Sequence, residues 1–207
     1  PMNSAYLVGL DIGTSGAKCI IADQEGKVVA SKTVEYPLYT PKPGWAEQNP
    51  QDWWNAVCQG CAAIMAKAGV PAEAIKGVSL SGQMHGLVAL DKARQVIRPA
   101  ILWCDQRTQK QCDQITAKAG GPEGLLSYTN NQMLTGYTGG KILWLRDEEP
   151  ENFARMAIFC CPKDYIRFRL TGEVATDVSD ASGMLLFDVE HKCWSKEMLE
   201  VCGLKES

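Results

Sequence analysis

The stretch Asp11-Ile-Gly-Thr-Ser-Gly16 constrains this chain more than any other, because apolar runs press on it from both sides. Tyr6-Leu-Val-Gly-Leu10 precedes it and Ala17-Lys-Cys-Ile-Ile-Ala22 follows it. Both runs read as strands, and so short a connection leaves them no choice but to pair antiparallel. Asp23-Gln-Glu-Gly26 repeats the device, and Lys27 to Ala30 with Thr33-Val34 forms a third strand. The first turn also has chemistry. Gly13 and Gly16 relax the backbone so that amide N–H groups converge on an anion, Thr14 and Ser15 add hydroxyl donors, and Lys18 adds a cation. Asp11 closes the first strand, where its carboxylate suits a hydrated magnesium; it is the candidate catalytic and metal-organising group. An ordinary hairpin would use the same residue types, and no G-x-x-x-x-G-K-[ST] phosphate loop occurs anywhere in the chain.

A proline-rich loop from Tyr36 to Pro50 leads to a helix start: Asn49 caps, Pro50 takes the first helical position, and Asp52 reaches back as a capping-box partner. Trp53, Val57, Cys61, Ile64 and Met65 recur at helical spacing until Gly69 stops the run. Lys76 to Ser81 is a fourth strand and Gly86 to Leu90 a fifth. The order is β-β-β-α-β: an α/β fold with a mixed sheet, a three-stranded antiparallel opening and a helical crossover. From Asp105 the pattern is mainly helical, with helices near 105–119, 122–130, 139–148, 162–171 and 195–202, and a short strand within 157–160.

The 207 residues carry a formal net charge of -3, and with no basic stripe they present no case for nucleic acid. No apolar run is long enough to span a membrane and no secretory leader is present, so a cytoplasmic protein is expected. Nine cysteines, an odd number, fit buried reduced thiols in helical and strand patterns (Cys58, Cys61, Cys104 and Cys112 in helices, Cys19 in a strand) better than a disulfide framework. Cys58-x-x-Cys61 lacks the second pair that a zinc site needs and reads as core packing in mid-helix.

With its neighbours, the opening motif resembles the FGGY carbohydrate kinases of the actin-like and sugar-kinase ATPase superfamily. The residues that resemble the family are Gly9 to Lys18 with the Asp23-x-x-Gly26 turn, Pro43 to Gln48 with Trp53-Trp54, Ser81 to Gly86, Ala100 to Arg107, Gly136 to Leu145, Pro162 to Tyr165 and Thr176 to Ser182. They follow the family's order from near residue 6 to near 200. The resemblance implies a ribonuclease H-like fold, a sugar substrate, and ATP with Mg2+ as cofactors. It makes residues 5–207 the N-terminal sugar-binding domain, with the C-terminal ATP-binding domain absent from this chain.

Gln83, Met84, His85, Trp103 and Asp105 are the candidate sugar contacts. Imidazole hydrogen-bonds a polyol without carrying full charge, and a tryptophan face accepts sugar C–H groups while its N–H donates. Asp105 can accept sugar hydroxyls, or cap the helix that follows it. A lone histidine is ordinarily without chemistry. The resemblance reverses that for His85, since xylulokinase members of the family use a Met-His pair here, matching Met84 and His85, where glycerol kinases carry Arg-Glu. It therefore implies phosphorylation of D-xylulose to D-xylulose 5-phosphate. Tyr137, Lys141 and Trp144 read as structural, Asp164, Asp177 and Asp180 as loop braces, and His191 as surface.

Family members run to about twice this length and keep their catalytic aspartate in a Gly-Gly-Asp-Asn-like stretch beyond the point where this chain ends; none occurs here. The resemblance thus implies that these residues alone bind sugar but do not turn over. A homodimer is an expectation from the exposed wall of half a cleft. Other polyols (ribulose, gluconate, fuculose), a non-catalytic sugar-binding module and an actin-like assembly protein remain as alternatives, the last without an explanation for residues 82–107.

Overall fold

The computed structural model describes residues 5–206. Three strands open the chain, β1 (Tyr6–Ile12), β2 (Gly16–Ala22) and β3 (Val28–Glu35). They are followed by β4 (Glu47–Gln48), helix α1 (Pro50–Ala68) and β5 (Ile75–Gly82). The main sheet has the order β3-β2-β1-β5, antiparallel except for β5, which runs parallel to β1. The expected β-β-β-α-β arrangement of a ribonuclease H-like sheet is therefore what forms.

Alternation along the strands decides which face of the sheet is covered. Val8, Leu10, Ile12, Ala17, Cys19 and Ile21 point one way and are buried. Against them lies α1, burying Trp53, Ala56, Val57, Gly60 and Ile64. Removing a side chain such as Trp53 from this interface costs about 3–5 kcal/mol. Asn49 caps α1 by accepting from the Gln51 N–H, and Gly69 ends it in a left-handed conformation. The expected reciprocal bond from Asp52 is not formed; the Asp52 N–H instead donates to the Asn49 carbonyl. The other face of the sheet is open. Leu7 is 52% exposed, and Gly9, Asp11, Lys18, Ser31, Ser79 and Ser81 help to line a shallow groove of about 420 Å³ across it.

The rest of the chain builds a second layer beyond the end of β5. Its elements are β6 (Val88–Leu90), β7 (Ala100–Ile101), α2 (Gln109–Lys118), α3 (Pro122–Thr129), α4 (Thr138–Glu148), α5 (Pro150–Arg155) and β8 (Ile158–Cys160). They continue as α6 (Pro162–Thr171), α7 (Val178–Ser182), β9 (Phe187–Asp188), β10 (Cys193–Trp194) and α8 (Lys196–Cys202). Its core centres on Leu87, Ile115, Leu125, Ile142, Leu143, Met184 to Leu186 and Met198. Short strand pairs β4–β7 and β6–β8 form two-stranded sheets of their own, the first tying the segment before α1 to this layer. The fifth expected strand thus forms, but it pairs with β8 and stays outside the main sheet. The helix expected from 105 begins at Gln109, because Asp105 to Thr108 is a turn held by buried charges; Cys104 is accordingly outside any helix. Cys58 is exposed, so of the C-x-x-C pair only half-buried Cys61 packs inward, against Cys19. Among the described residues no helix is long and apolar enough to cross a membrane.

Candidate functional site

β1 and β5 run parallel with Asp11 opposite Ser81 and Ile12 opposite Gly82, so whatever follows the two strands leaves the same end of the sheet. After β1 comes the turn of residues 13–16; after β5 come Gln83, Met84 and His85.

The turn is fixed through its carbonyls. That of Gly13 accepts from the Tyr36 hydroxyl and from Gln83 Nε2 (3.3 Å), and that of Thr14 from Gln48 Nε2 (2.6 Å). Those of Ser15 and Gly16 accept from the N–H groups of Tyr36 and Gly13. All four oxygens are engaged, while the N–H groups of Thr14 and Ser15 have no acceptor among the described residues. Free amides with the carbonyls held elsewhere are what an anion-binding turn requires. Glycine at 16 is needed for close approach rather than for a positive φ, contrary to expectation: a Cβ there would lie 2.7 Å from the Val34 carbonyl oxygen. Asp11 is exposed on the open face and accepts from the Ser81 hydroxyl at 2.9 Å. Lys18, its cross-strand partner on β2, lines the same groove.

Gln83 takes a different place from the one expected of a sugar contact. It is 8% exposed, and its Nε2 donates to Gln48 Oε1 (2.8 Å) as well as to Gly13. Gln48, 1% exposed, is the hub, since its Oε1 also accepts from Trp53 Nε1 at 3.0 Å. Asp105 is likewise withdrawn from any sugar. Its carboxylate is 0% exposed and accepts from the Ala46 N–H, the Arg107 N–H and the Arg107 guanidinium at 2.7–3.0 Å. It does not cap α2 either; that helix begins at Gln109, and its N-cap residue Thr108 makes no side-chain cap bond. Arg107 in turn pairs with Glu47 at 2.8 Å and lies 3.6 Å from the ring centre of Trp45 and 4.7 Å from that of Trp144. Asp105 therefore clamps the base of the loop on which Trp103 rides.

Three of the expected sugar contacts are available. Met84 is 54% exposed and Trp103 44%, and Trp103 Nε1 donates to Thr14 Oγ1 at 2.9 Å, tying this loop to the turn of residues 13–16. His85 is half-buried with a left-handed backbone (φ 62°). Its ring meets the Tyr137 ring edge-on, 4.6 Å between centres. Burial, aided by the Lys141 ammonium, lowers its pKa to about 4, so the imidazole is neutral at physiological pH. Its Nδ1 is enclosed with no partner among the described residues.

Several residues around this end carry more than sequence reasoning assigned them. Tyr137 and Lys141 read as structural, yet one meets the His85 ring and the other donates to the His85 carbonyl. Nothing in sequence spacing pointed to Gly183 or to Gln48; a buried polar side chain at a strand end is the one signal that marks Gln48. Asp164 and Asp177 cap α6 and α7 as expected, and with Asp180 they surround Lys163 Nζ at 2.6–3.1 Å. Their carboxylates raise the Lys163 pKa despite burial, and that ammonium already supplies the cation for the metal-like grouping of Cys161, Asp164 and Asp180. His191 is exposed and pairs with Asp188.

Residues 6–207 match the FGGY family of carbohydrate kinases, N-terminal domain. The xylulose kinase of Bacillus subtilis (strain 168) is 46% identical over 199 residues, covering 96% of this chain and 40% of that protein. Among solved structures, a xyloylose kinase from Brucella ovis superposes with a TM-score of 0.92 at 37% identity, over 97% of this chain and 41% of the other. A gluconate kinase from Lactobacillus acidophilus gives 0.90 at 29% identity, over 98% of this chain and 40% of the other. The chain spans about two-fifths of the length of the relatives it matches.

Proposed function

Because the chain belongs to the FGGY family of carbohydrate kinases, we propose that it is the sugar-binding domain of an ATP-dependent kinase that converts D-xylulose to D-xylulose 5-phosphate. The observation that carries this reading is the pairing of two devices at one end of the sheet. A turn with free amides, bonded to an exposed tryptophan through Thr14, leaves the same end of the sheet as the segment that carries a neutral imidazole.

The donor set of the turn suits a nucleotide polyphosphate with magnesium. Asp11 is a hard, exposed carboxylate that would hold a hydrated Mg2+; the Thr14 and Ser15 amides, the hydroxyls beside them and Lys18 would hold phosphate oxygens. When bound, magnesium ATP supplies the phosphoryl group and neutralises charge on its oxygens. The rest of the argument concerns this chain's own groups. Gln48, Gln83 and Tyr36 keep the turn's carbonyls from facing an anion. His85, neutral above about pH 4, offers a hydrogen bond to a polyol hydroxyl without the desolvation cost of a full charge. Trp103 and Met84 give apolar surface to sugar C–H groups.

Enzyme assay tests the proposal. The intact protein is expected to release ADP with D-xylulose and ATP, and His85→Ala to lower kcat/KM at least about tenfold, the worth of one good hydrogen bond in a desolvated site. The 207 residues alone are expected to bind D-xylulose weakly and release no ADP. The likeness to a gluconate kinase at a TM-score of 0.90 favours a second reading, another polyol as substrate. A panel of xylulose, ribulose, gluconate and fuculose decides between them: a preference for any of the last three overturns the xylulose assignment and leaves the kinase assignment standing.

A further inference from the structure

We propose that Lys141 is a positioning residue for the sugar-facing imidazole: its buried ammonium holds the His85 carbonyl and with it the left-handed backbone that aims the ring. The proposal rests on the reading of His85 as a sugar contact.

Lys141 lies in the first turn of α4 and is 0% exposed. Its Nζ donates to the His85 carbonyl at 2.8 Å and to the Gly136 carbonyl at 2.6 Å, and Thr138 Oγ1 adds a second donor to the His85 carbonyl at 3.1 Å. A non-glycine residue in the left-handed region costs on the order of 1 kcal/mol, and it persists when neighbouring groups over-determine it. Two donors on one carbonyl do that. An ammonium is an expensive way to fill a core, where a methionine would pack as well. The expense is visible in the titration: burial outweighs the attraction of Asp105 and lowers the Lys141 pKa to about 7. The charged and titratable groups that face it are Cys104, Asp105 and Arg107 from the loop before α2, Cys112 of α2, Cys161 before α6, and His85 itself.

A second observation reaches the same ring from another element. Gly183 follows α7, and a Cβ there would stand 2.1 Å from His85 Cε1 and 2.3 Å from Nδ1. Its backbone, at φ −95° and ψ 3°, would accept any residue. The gap therefore exists for the imidazole and not for the chain. Lys141 holds the backbone, Tyr137 meets the ring edge-on, and Gly183 leaves the space in which the ring sits.

The chain has two histidines, and exposed His191 makes an internal reference for imidazole NMR. In Lys141→Met the His85 ring resonances are expected to move and its titration to climb from about 4 toward the ordinary histidine value, with His191 unchanged. D-xylulose affinity of the intact protein, measured by calorimetry, is expected to fall about tenfold or more. Gly183→Ala is expected to displace the ring in the same way from the opposite side. A folded Lys141→Met with unaltered His85 resonances, titration and sugar affinity overturns the proposal. Should both variants fail to fold, the unmutated chain still decides. The His85 carbonyl carbon must shift in step with the Lys141 ε-carbon as pH passes about 7, and independent behaviour overturns the proposal. If the unmutated protein binds no xylulose while Lys141→Met still releases the ring, the sugar reading falls and the positioning role stands.

Discussion

The turn of residues 13–16 and the His85 segment leave the same end of the sheet, yet they are held by opposite means. Residues 13–16 have no positive φ, and their carbonyls are engaged by a phenol, two carboxamides and backbone amides, all uncharged in the physiological range. Residue 85 is left-handed, and its carbonyl is gripped by a buried ammonium. The difference suits the ligands each is proposed to meet. Neutral dipoles support an anion site without changing as pH or phosphate charge changes, whereas a group that must stay neutral to read a polyol is kept so by burial beside a cation. The first region should therefore be indifferent to pH and the second sensitive to it.

The largest expected effect falls on the neutral side. Gln48→Leu strips partners from the Thr14 carbonyl, Trp53 Nε1 and the Gln83 amide at once. We expect a loss of about 3 kcal/mol or more in urea unfolding, of the same size at pH 6 and pH 8. A loss that depends on pH over this interval would break the comparison.

Lys141→Met probes the charged side. The Lys141 pKa falls from an unfolded value of 10.5 to about 7, so between these values the unfolded chain binds more protons and stability rises with pH. From pH 7 to 8.5 the wild type is expected to gain about 1.5 kcal/mol relative to Lys141→Met. The difference between the two proteins is the quantity to follow, because buried thiols such as Cys160 and Cys202, with raised pKa values, push the other way in both.

His85 has the same sign at lower pH. Its stabilising contribution is fully present above 6.5 and is lost as pH falls toward about 4, where the folded ring must also take a proton. In His85→Gln this part of the acid unfolding curve should flatten, and an unchanged curve would place the sensitivity elsewhere. The smallest effect is expected for Trp103→Phe. Its bond to Thr14 is solvent-exposed, so stability should fall by about 1 kcal/mol or less, while D-xylulose affinity falls further.

The sheet was legible because its causes are local. Two tight turns force antiparallel pairing and a capped amphipathic helix follows, while which face α1 covers is seen only in the burial pattern of the strands. Met84 was legible through the family resemblance and Trp103 as an apolar ring with an N–H donor, and both are exposed as a sugar contact requires. Gln83 and Asp105 are buried against internal partners where an exposed contact was expected, and for a common reason. Each is a polar residue in a site-bearing loop, and sequence says nothing of whether its partner is a ligand or a buried group such as Gln48 or Arg107, 35 positions away in one case and two in the other. The helix expected from Asp105 failed on the same point, since the ion pairs of Asp105 and Arg107 hold that stretch as a turn until Gln109.

By itself the sequence determined the antiparallel opening, the turn at residues 13–16 and the family; the first two follow from spacing within short stretches, the last from family-like segments in order along the whole chain. Which polar side chains face solvent and which brace the site was decided by tertiary structure alone. Burial and hydrogen-bond partnership depend on groups brought together from distant parts of the chain: α4 reaching the carbonyl of His85, and Gly183 making room for its ring.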